Sequence, residues 1–378
     1  MNTEGDSASR PAPSPFPLPP SPFRLPPSAF PYDALLLVSF GGPEGPGDVL
    51  PFLENVLRGK NVPRERLLEV AKHYDRFGGV SPLNAQNRRL IAALERELAA
   101  HGPPLPIYWG NRNWHPLLPE TLAAMARDGV RRALAFFTSA YSSYSGCRQY
   151  WENIAAAQAQ VGPAAPHIDK LRAFYNHPGF IEPMIESLRA CLDRVPAHER
   201  AAAVVLFTAH SIPLAMAENC RYEEQLREAA RLVAAGAGVA RWELAYQSRS
   251  GPPQQPWLEP DVRDRIQALH AASGLASPAS GLANLIVVPI GFISDHLEVL
   301  YDLDVEVGEL CTQLGVSFQR AATVGAHPRF VTMIRELIVE RLTAATVRPA
   351  LGDHGSSHDE CPFDCCRYEP SRPPTAAP

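Results

Sequence analysis

The sequence predicts an α/β protein built from two doubly wound parallel sheets, one in each half of the chain. Short apolar runs alternate with amphipathic helical patterns over about 300 residues. Most of these runs lack strict alternation of polar and apolar residues, as expected of strands that are covered on both faces. Hydrophobic residues make up 46% of the chain and charged residues 20%, so the chain can bury a sizeable core.

Eight apolar runs are predicted to form buried strands. They cover residues 34–39, 107–109, 132–137, 171–175, 202–207, 242–246, 285–290 and 316–319. Amphipathic helices are expected between them, because apolar residues recur at helical spacing. Two examples are the sets Leu90, Ile91, Leu94 and Leu98, and Phe330, Met333, Ile334, Leu337, Ile338 and Leu342.

The two ends of the chain differ from this alternating body. Residues 1–32 hold ten of the 39 prolines, which predicts a disordered, partly polyproline II arm. We expect residues 33–166 to form the first lobe, completed by a helix over residues 327–343. Residues 167–326 are expected to form the second lobe, and residues 344–378 a loose tail that carries three cysteines.

Composition argues against several classes of function. The net charge is −5 and no block of lysine and arginine is present, so a nucleic-acid partner is not expected. The strongest apolar run, residues 285–293, contains a proline and is too short for a membrane span of ~20 residues. The start of the chain lacks the pattern of a signal peptide, and seven cysteines do not make a disulfide scaffold. A cytoplasmic protein is the expectation.

Ligands of doubly wound sheets bind beyond the carboxyl ends of the strands, so the residues after each predicted strand are the candidates for chemistry. Gly41 and Gly42 follow the first strand and let the backbone approach a ligand, although a pair of glycines also serves turn geometry alone. Phe40 beside them offers a flat apolar surface. His210 follows the strand 202–207, and an imidazole at such a strand end suits a general base or a metal ligand. A lone histidine is also a common structural residue.

A third strand end carries a row of acids. Glu298, Asp302 and Glu306 recur at every fourth position, which places three carboxylates along one side of a helix. Like charges in a row repel, so a cation, bound protons or full solvation must compensate. Leucines and valines cover the other sides of this helix, which favours a metal or proton path over a solvated face.

Four segments together resemble the ferrochelatase family, in family order and over about residues 32–342. They are Phe-Gly-Gly-Pro-Glu at 40–44, Gly-Gly-Val-Ser-Pro-Leu-Asn at 78–84, Ala-His-Ser-Ile-Pro at 209–213, and the segment 294–304, which begins Ser-Asp-His-Leu-Glu. The resemblance implies a chelatase-like fold in which two Rossmann-like lobes enclose a porphyrin cleft. It is nearest to the bacterial branch that inserts iron into coproporphyrin III.

The resemblance implies that the chain inserts Fe²⁺ into coproporphyrin III to give coproheme in heme biosynthesis. Conversion of protoporphyrin IX to protoheme, a noncatalytic tetrapyrrole or metal carrier on the same fold, and a cobalt or nickel chelatase are the alternatives. The resemblance further suggests contact with an upstream porphyrinogen oxidase and a downstream enzyme of heme synthesis.

Within the resemblance, His210 and Glu298 face the macrocycle from one side. His210 would accept pyrrole protons and can ligate iron, and Glu298 would be a metal ligand or proton acceptor. Asp302 and Glu306 would carry cations in or protons out.

Five residues are candidates for porphyrin contact. Phe40 cannot ligate a metal and is expected to act as a packing platform. Arg58, Ser81 and Arg112 match family positions for holding the porphyrin, and an arginine fork can donate two parallel hydrogen bonds to a carboxylate. An ordinary surface role for either arginine stays open. Ser143 lies in a polar run after the strand 132–137 and is expected to line the same cleft.

The tail cysteines Cys361, Cys365 and Cys366 are spaced closely enough to suit a soft metal and require a fourth ligand from elsewhere. Some ferrochelatases hold a [2Fe–2S] cluster with C-terminal cysteines and one internal cysteine, and Cys147 lies where that partner is expected. The resemblance therefore predicts a [2Fe–2S] cluster on these four residues. A tail without metal and a zinc site are the alternatives.

Overall fold

The computed structural model describes residues 31–59, 62–252, 254–274 and 282–368. The predicted Pro-rich arm, residues 1–32, lies outside the described residues except for its last two positions. The described chain forms two parallel four-stranded sheets flanked by helices, so the predicted α/β class with two doubly wound sheets is confirmed.

The first sheet has the strand order β2–β1–β3–β4. Its strands are β1 (Ala34–Ser39), β2 (Ile107–Asn111), β3 (Arg132–Phe137) and β4 (His167–Lys170). β1 pairs in parallel with β2 on one side and with β3 on the other. The strand order therefore reverses at β1, and the crevice beyond its carboxyl end is where such a sheet binds ligands.

The second sheet repeats this arrangement in the order β6–β5–β7–β8. Its strands are β5 (Val204–His210), β6 (Trp242–Gln247), β7 (Asn284–Val288) and β8 (Ser317–Arg320). β5 pairs with both β6 and β7, so the reversal falls at β5. The two candidate strand ends, Phe40 after β1 and His210 in β5, thus occupy equivalent positions in the two sheets.

Twelve α-helices connect the strands in the described ranges. They are α1 (Val49–Val56), α2 (Arg64–Asp75), α3 (Leu83–His101), α4 (Leu118–Arg127), α5 (Gln149–Val161), α6 (Pro178–Arg194), α7 (Leu214–Ala217), α8 (Tyr222–Ala237), α9 (Val262–Gly274), α10 (Leu297–Val299), α11 (Gly308–Leu314) and α12 (Pro328–Thr343). Three short 3₁₀ helices cover Pro46–Asp48, Gly162–Ala164 and Arg200–Ala202, and two π-helices cover Tyr144–Arg148 and Leu300–Val307.

One predicted strand is wrong. Residues 171–175 have irregular backbone, and the strand, β4, is His167–Lys170. The core buries Leu171, Phe174 and Tyr175. The residues of this run are therefore apolar because they are buried, and not because they pair in a sheet. β4 pairs with β3, and the first sheet therefore extends past residue 166, where the sequence placed the boundary between the lobes.

The largest apolar cluster of the described residues contains side chains of both lobes. Phe136 of β3 stacks on Phe174 with ring centroids 5.3 Å apart, and Phe330 of α12 packs edge-on against Phe174 at 5.7 Å. Burial of each such ring contributes roughly 1.5–3 kcal/mol to folding. The predicted helix over 327–343 is α12, which packs against α3 and α6. This shared core fixes the position of one lobe relative to the other.

Within the described ranges, none of the helices combines the length and the apolar character needed to cross a lipid bilayer. The expected cytoplasmic location stays a prediction.

Candidate active site and cysteine pocket

The position of His210 depends on the close approach of two chain segments. His210 is the last residue of β5, and the chain that leaves β7 crosses beside it. The Gly291 N–H donates to the Thr208 carbonyl at 3.0 Å, and a Cβ on Gly291 would lie 2.5 Å from the Cβ of Ala209. Only a glycine allows this approach, which carries the following segment back to His210.

The imidazole of His210 has a defined hydrogen-bond partner on one side. Its Nδ1 contacts the backbone carbonyl of Ser211, and a carbonyl can only accept, so Nδ1 carries the proton. In the neutral ring, Nε2 therefore presents its lone pair. Nε2 lies 3.7 Å from Oε2 of Glu298, and both side chains are partly open to solvent. The structure thus brings the predicted pair together from two separate strand ends.

His296 belongs to the same site, although it was not predicted to have a role of its own. Its Nδ1 lies 3.9 Å from Oε2 of Glu298, so this carboxylate sits between two imidazoles. Burial lowers the pKa of His296 below its usual value, which favours a neutral ring. The sequence feature that could have indicated this role is the position of His296, two residues before Glu298.

The acid row lies on a π-helix, Leu300–Val307, and the turn before it. Such helices are rare and occur frequently at functional sites. Burial, together with the nearby charges of Glu298 and Glu306, raises the pKa of Asp302 to about 7. The Ser248 hydroxyl donates to the Asp302 carboxylate. Gln247 donates to the same carboxylate at 3.4 Å and to the Glu298 carbonyl at 3.1 Å.

Each acid of the row is compensated in a different way. Glu298 lies beside histidine rings, Asp302 takes up a proton near neutral pH, and Glu306 pairs with Arg263 at 3.4 Å. Each of the three carboxylates thus has its own partner. Such a row can pass protons or a divalent metal ion between the surface and His210.

Two of the predicted porphyrin contacts lie side by side in the first lobe. Phe40 is 37% exposed, and the guanidinium carbon of Arg112 lies 5.7 Å from the centre of its ring. Arg112 also donates to Asn153 at 2.6 Å and to the Ser145 carbonyl at 3.4 Å. These contacts hold the guanidinium beside the Phe40 surface.

The two predicted serines support the backbone around this surface. Ser143 is buried, and its hydroxyl accepts from the Gly146 N–H at 2.9 Å, which caps the π-helix Tyr144–Arg148. Ser81 is also buried and packs against Gly42, where an added Cβ would lie 2.7 Å from the Cβ of Ser81.

The predicted Arg58 stands apart from the other candidates. It follows α1 and donates to Asn55 on that helix. In the part of the chain that the structure describes, no contact joins it to the other candidates.

The two lobes meet around these residues through contacts that the sequence did not reveal. His73 of α2 stacks on Tyr301 of the π-helix Leu300–Val307, with ring centres 3.9 Å apart. The Tyr141 hydroxyl donates to the Ile290 carbonyl at 2.8 Å, and the Asp295 N–H donates to Gln86 at 3.0 Å. These contacts fix the Phe40 side of the crevice relative to His210. No sequence pattern pairs residues so far apart in the chain.

The four predicted cluster ligands line one cavity of about 460 Å³. Lys170 donates to the Cys147 sulfur at 3.0 Å and to the Cys361 sulfur at 3.5 Å, and the sulfurs of Cys365 and Cys366 lie 3.5 Å apart. A hydrogen bond from Cys147, helped by Lys170, lowers the pKa of Cys361 to about 7.

His358 is a further potential ligand that the sequence analysis missed, although it stands three residues before Cys361. One ligand atom each of His358, Cys361 and Cys365 lies within 4.8 Å of the others.

Two Rossmann-like lobes with an imidazole–carboxylate pair and an acid row at the crevice between them define a metal chelatase of the tetrapyrrole type. The model of the ferrochelatase family matches residues 32–342. The chain belongs to the ferrochelatase family, so the predicted family and enzyme class are confirmed.

Several relatives share most of their length with this chain. A ferrochelatase of Rhodopirellula baltica is 58% identical over 92% of this chain and 96% of its own. Coproporphyrin III ferrochelatases of Streptomyces coelicolor and Nocardia farcinica are each 50% identical, over 92% and 91% of this chain and 96% and 99% of theirs. Among solved structures, SirB from Bacillus subtilis with Fe³⁺ is 14% identical with a TM-score of 0.50, covering 82% of this chain and 96% of that one. That likeness supports the fold alone.

Replacing Asp302 by Asn is expected to change how stability depends on pH. Because the folded pKa of about 7 lies above the ordinary value of 3.8, the folded protein holds a proton that the unfolded chain releases. Wild-type stability should therefore fall relative to D302N as pH rises through this window, and the difference should level off above pH 7. Thermal unfolding of both proteins across this range measures it. A difference that is constant with pH would contradict the raised pKa.

Proposed function

We propose that this protein inserts Fe²⁺ into coproporphyrin III to give coproheme, as a step of heme biosynthesis. The observation that carries the proposal is the His210–Glu298 pair, with Nε2 and Oε2 3.7 Å apart where the end of β5 meets the segment after β7. Relatives named coproporphyrin III ferrochelatase at 50% identity over most of the chain support the choice of substrate. A porphyrinogen-oxidising enzyme would have to supply this substrate, and a further enzyme would consume the product.

Metal insertion replaces two pyrrole protons of the porphyrin by one Fe²⁺ ion, so the site must accept two protons and deliver one cation. His210 is suited to the first proton because Nε2 presents its lone pair while Nδ1–H is held by the Ser211 carbonyl. Glu298 would receive either the metal or the second proton. Asp302, with a pKa of about 7, can take up and release that proton at neutral pH.

The opposite side of the crevice would hold the macrocycle. Phe40 supplies an exposed ring that packs edge-on against Phe52 at 6.2 Å, and this contact fixes its plane. Arg112 beside it can donate to a propionate carboxylate. Ser81 and Ser143 would act through the backbone that they hold, and Arg58 would reach a substrate carboxylate only from the crevice rim.

His210→Ala is expected to lower ferrous iron insertion into coproporphyrin III by at least about 100-fold, since it removes the proton acceptor. Porphyrin affinity, measured by fluorescence quenching, should change little. The matched control is His198→Ala, because His198 is an exposed histidine of the same lobe and should leave turnover unchanged. Near-normal turnover in H210A would contradict the assigned role. A wild-type protein that binds porphyrin but inserts no metal would favour the carrier alternative.

Substrate preference is tested by measuring kcat/KM with ferrous iron on coproporphyrin III and on protoporphyrin IX. We expect the first to be the better substrate, since its four propionates offer more carboxylates to the crevice than the two of protoporphyrin IX. The reverse preference would overturn the choice of porphyrin and leave the chelatase assignment intact.

We also propose that Cys147, Cys361, Cys365 and Cys366 hold a [2Fe–2S] cluster. The four thiols line one cavity, and all of them are free of disulfide bonds. Thiolate groups are the usual ligands of such clusters, so the donor set fits. The cluster would supply one-electron redox chemistry and a covalent tie between the tail and the first lobe.

Freshly purified protein is expected to show the visible absorbance bands of an iron–sulfur chromophore, with two irons and two sulfides per chain. Cys365→Ser should abolish the bands, whereas Cys311→Ala should retain them, because Cys311 is buried in a separate core region of the second lobe. Anaerobically purified protein that contains zinc, or no metal at all, would contradict the cluster.

A further inference from the structure

Lys170 is a buried lysine that the active site does not use. It is the last residue of β4, and its side chain is 6% exposed. Its ammonium nitrogen lies 3.0 Å from the sulfur of Cys147 and 3.5 Å from the sulfur of Cys361. It therefore touches one ligand from the body of the protein and one from the tail.

A buried ammonium group is unfavourable unless an opposite charge and hydrogen-bond acceptors compensate for the lost water. No carboxylate of the described residues pairs with Lys170; the two cysteines are its electrostatic partners. The neighbouring Asp169 is engaged by Arg132 at 2.6 Å and by the Tyr32 hydroxyl at 3.0 Å. The Phe137 ring, 6.0 Å away, contributes a cation–π contact. The sulfurs of Cys147 and Cys361 are thus the hydrogen-bond acceptors of the Lys170 ammonium group.

A cluster in this cavity would be an anion. Four thiolates and two sulfides carry eight negative charges against six positive charges of two ferric ions, which leaves −2. Uptake of one electron makes the charge −3. A fixed positive charge in contact with two of the ligands stabilises the reduced state more than the oxidised state. Hydrogen bonds to sulfur and local charge are the factors that set the potential of such clusters.

We propose that Lys170 is a positioning residue of the cysteine pocket, which donates N–H···S hydrogen bonds to Cys147 and Cys361 and raises the reduction potential of the cluster. This inference rests on the proposed [2Fe–2S] cluster. In this proposal Lys170, at the end of the edge strand β4, balances part of the negative charge of the cluster.

The test is a potentiometric titration of the full-length protein, followed by visible absorbance and by electron paramagnetic resonance of the reduced cluster. Lys170→Met should shift the reduction equilibrium toward the oxidised form by about tenfold or more, which is ~59 mV for a one-electron couple. Lys170→Arg keeps the charge and should retain most of the wild-type potential.

Arg341→Met is the matched control, because Arg341 lines the same cavity but pairs with Asp169, Asp359 and Glu360 instead of the sulfurs. It should shift the potential much less than K170M. An equal shift in the two variants, or a wild-type potential in K170M, would overturn the inference. If K170M does not fold, Lys170→Gln takes its place, and a wild-type potential in K170Q overturns the inference in the same way.

The outcomes separate the two proposals. Wild-type protein without an iron–sulfur chromophore refutes the cluster itself. A wild-type chromophore whose potential does not depend on Lys170 leaves the cluster in place and refutes the role of Lys170.

Discussion

The close approach of the chain after β7 to the end of β5 is the constraint on which the site depends. Gly291 lies against Ala209 with no room for a side chain, so the segment that carries Glu298 must pass beside His210. Both sheets have the same strand order, and each reverses at the strand that ends in the crevice. The Phe40 surface and the His210–Glu298 pair therefore lie at equivalent ends of the two sheets, although no single segment of the chain contains both.

Electrostatics then decides what this crevice can do. A row of three carboxylates would be unfavourable in a uniform apolar setting, yet each acid has a different compensating partner: the histidine rings, a bound proton and Arg263. The partner thus varies along the row, from the histidine rings beside Glu298 to the guanidinium of Arg263 beside Glu306. On the proposed path, a cation or proton moving along this row would exchange one partner for the next at each step and would not be left alone in an apolar environment.

Much of this arrangement follows from sequence patterns, and the exceptions have physical causes. Seven of the eight predicted strands overlap observed ones, because parallel strands that are buried on both faces consist mainly of apolar residues. The strand β4 was not predicted, because His167–Lys170 is mostly polar whereas the buried residues that follow it are apolar. The acid row was visible because every fourth position on a helix shares a side, whereas the π-helical backbone and the stack of His73 on Tyr301 arise from packing between lobes. The role of Lys170 could not be predicted from the sequence, because its partners Cys147 and Cys361 are distant from it along the chain.

The start of the tail is held against the first lobe by buried polar side chains. Arg172 pairs with Glu340 at 2.8 Å and donates to the Pro349 carbonyl at 2.9 Å, while Asn176 donates to the Leu351 carbonyl at 3.1 Å. These buried polar contacts orient the tail, and the four thiols line one cavity. Cys147 lies in the π-helix Tyr144–Arg148, whose Ser145 carbonyl accepts from Arg112. This π-helix therefore contacts Cys147's pocket on one side and the Arg112 guanidinium beside Phe40 on the other.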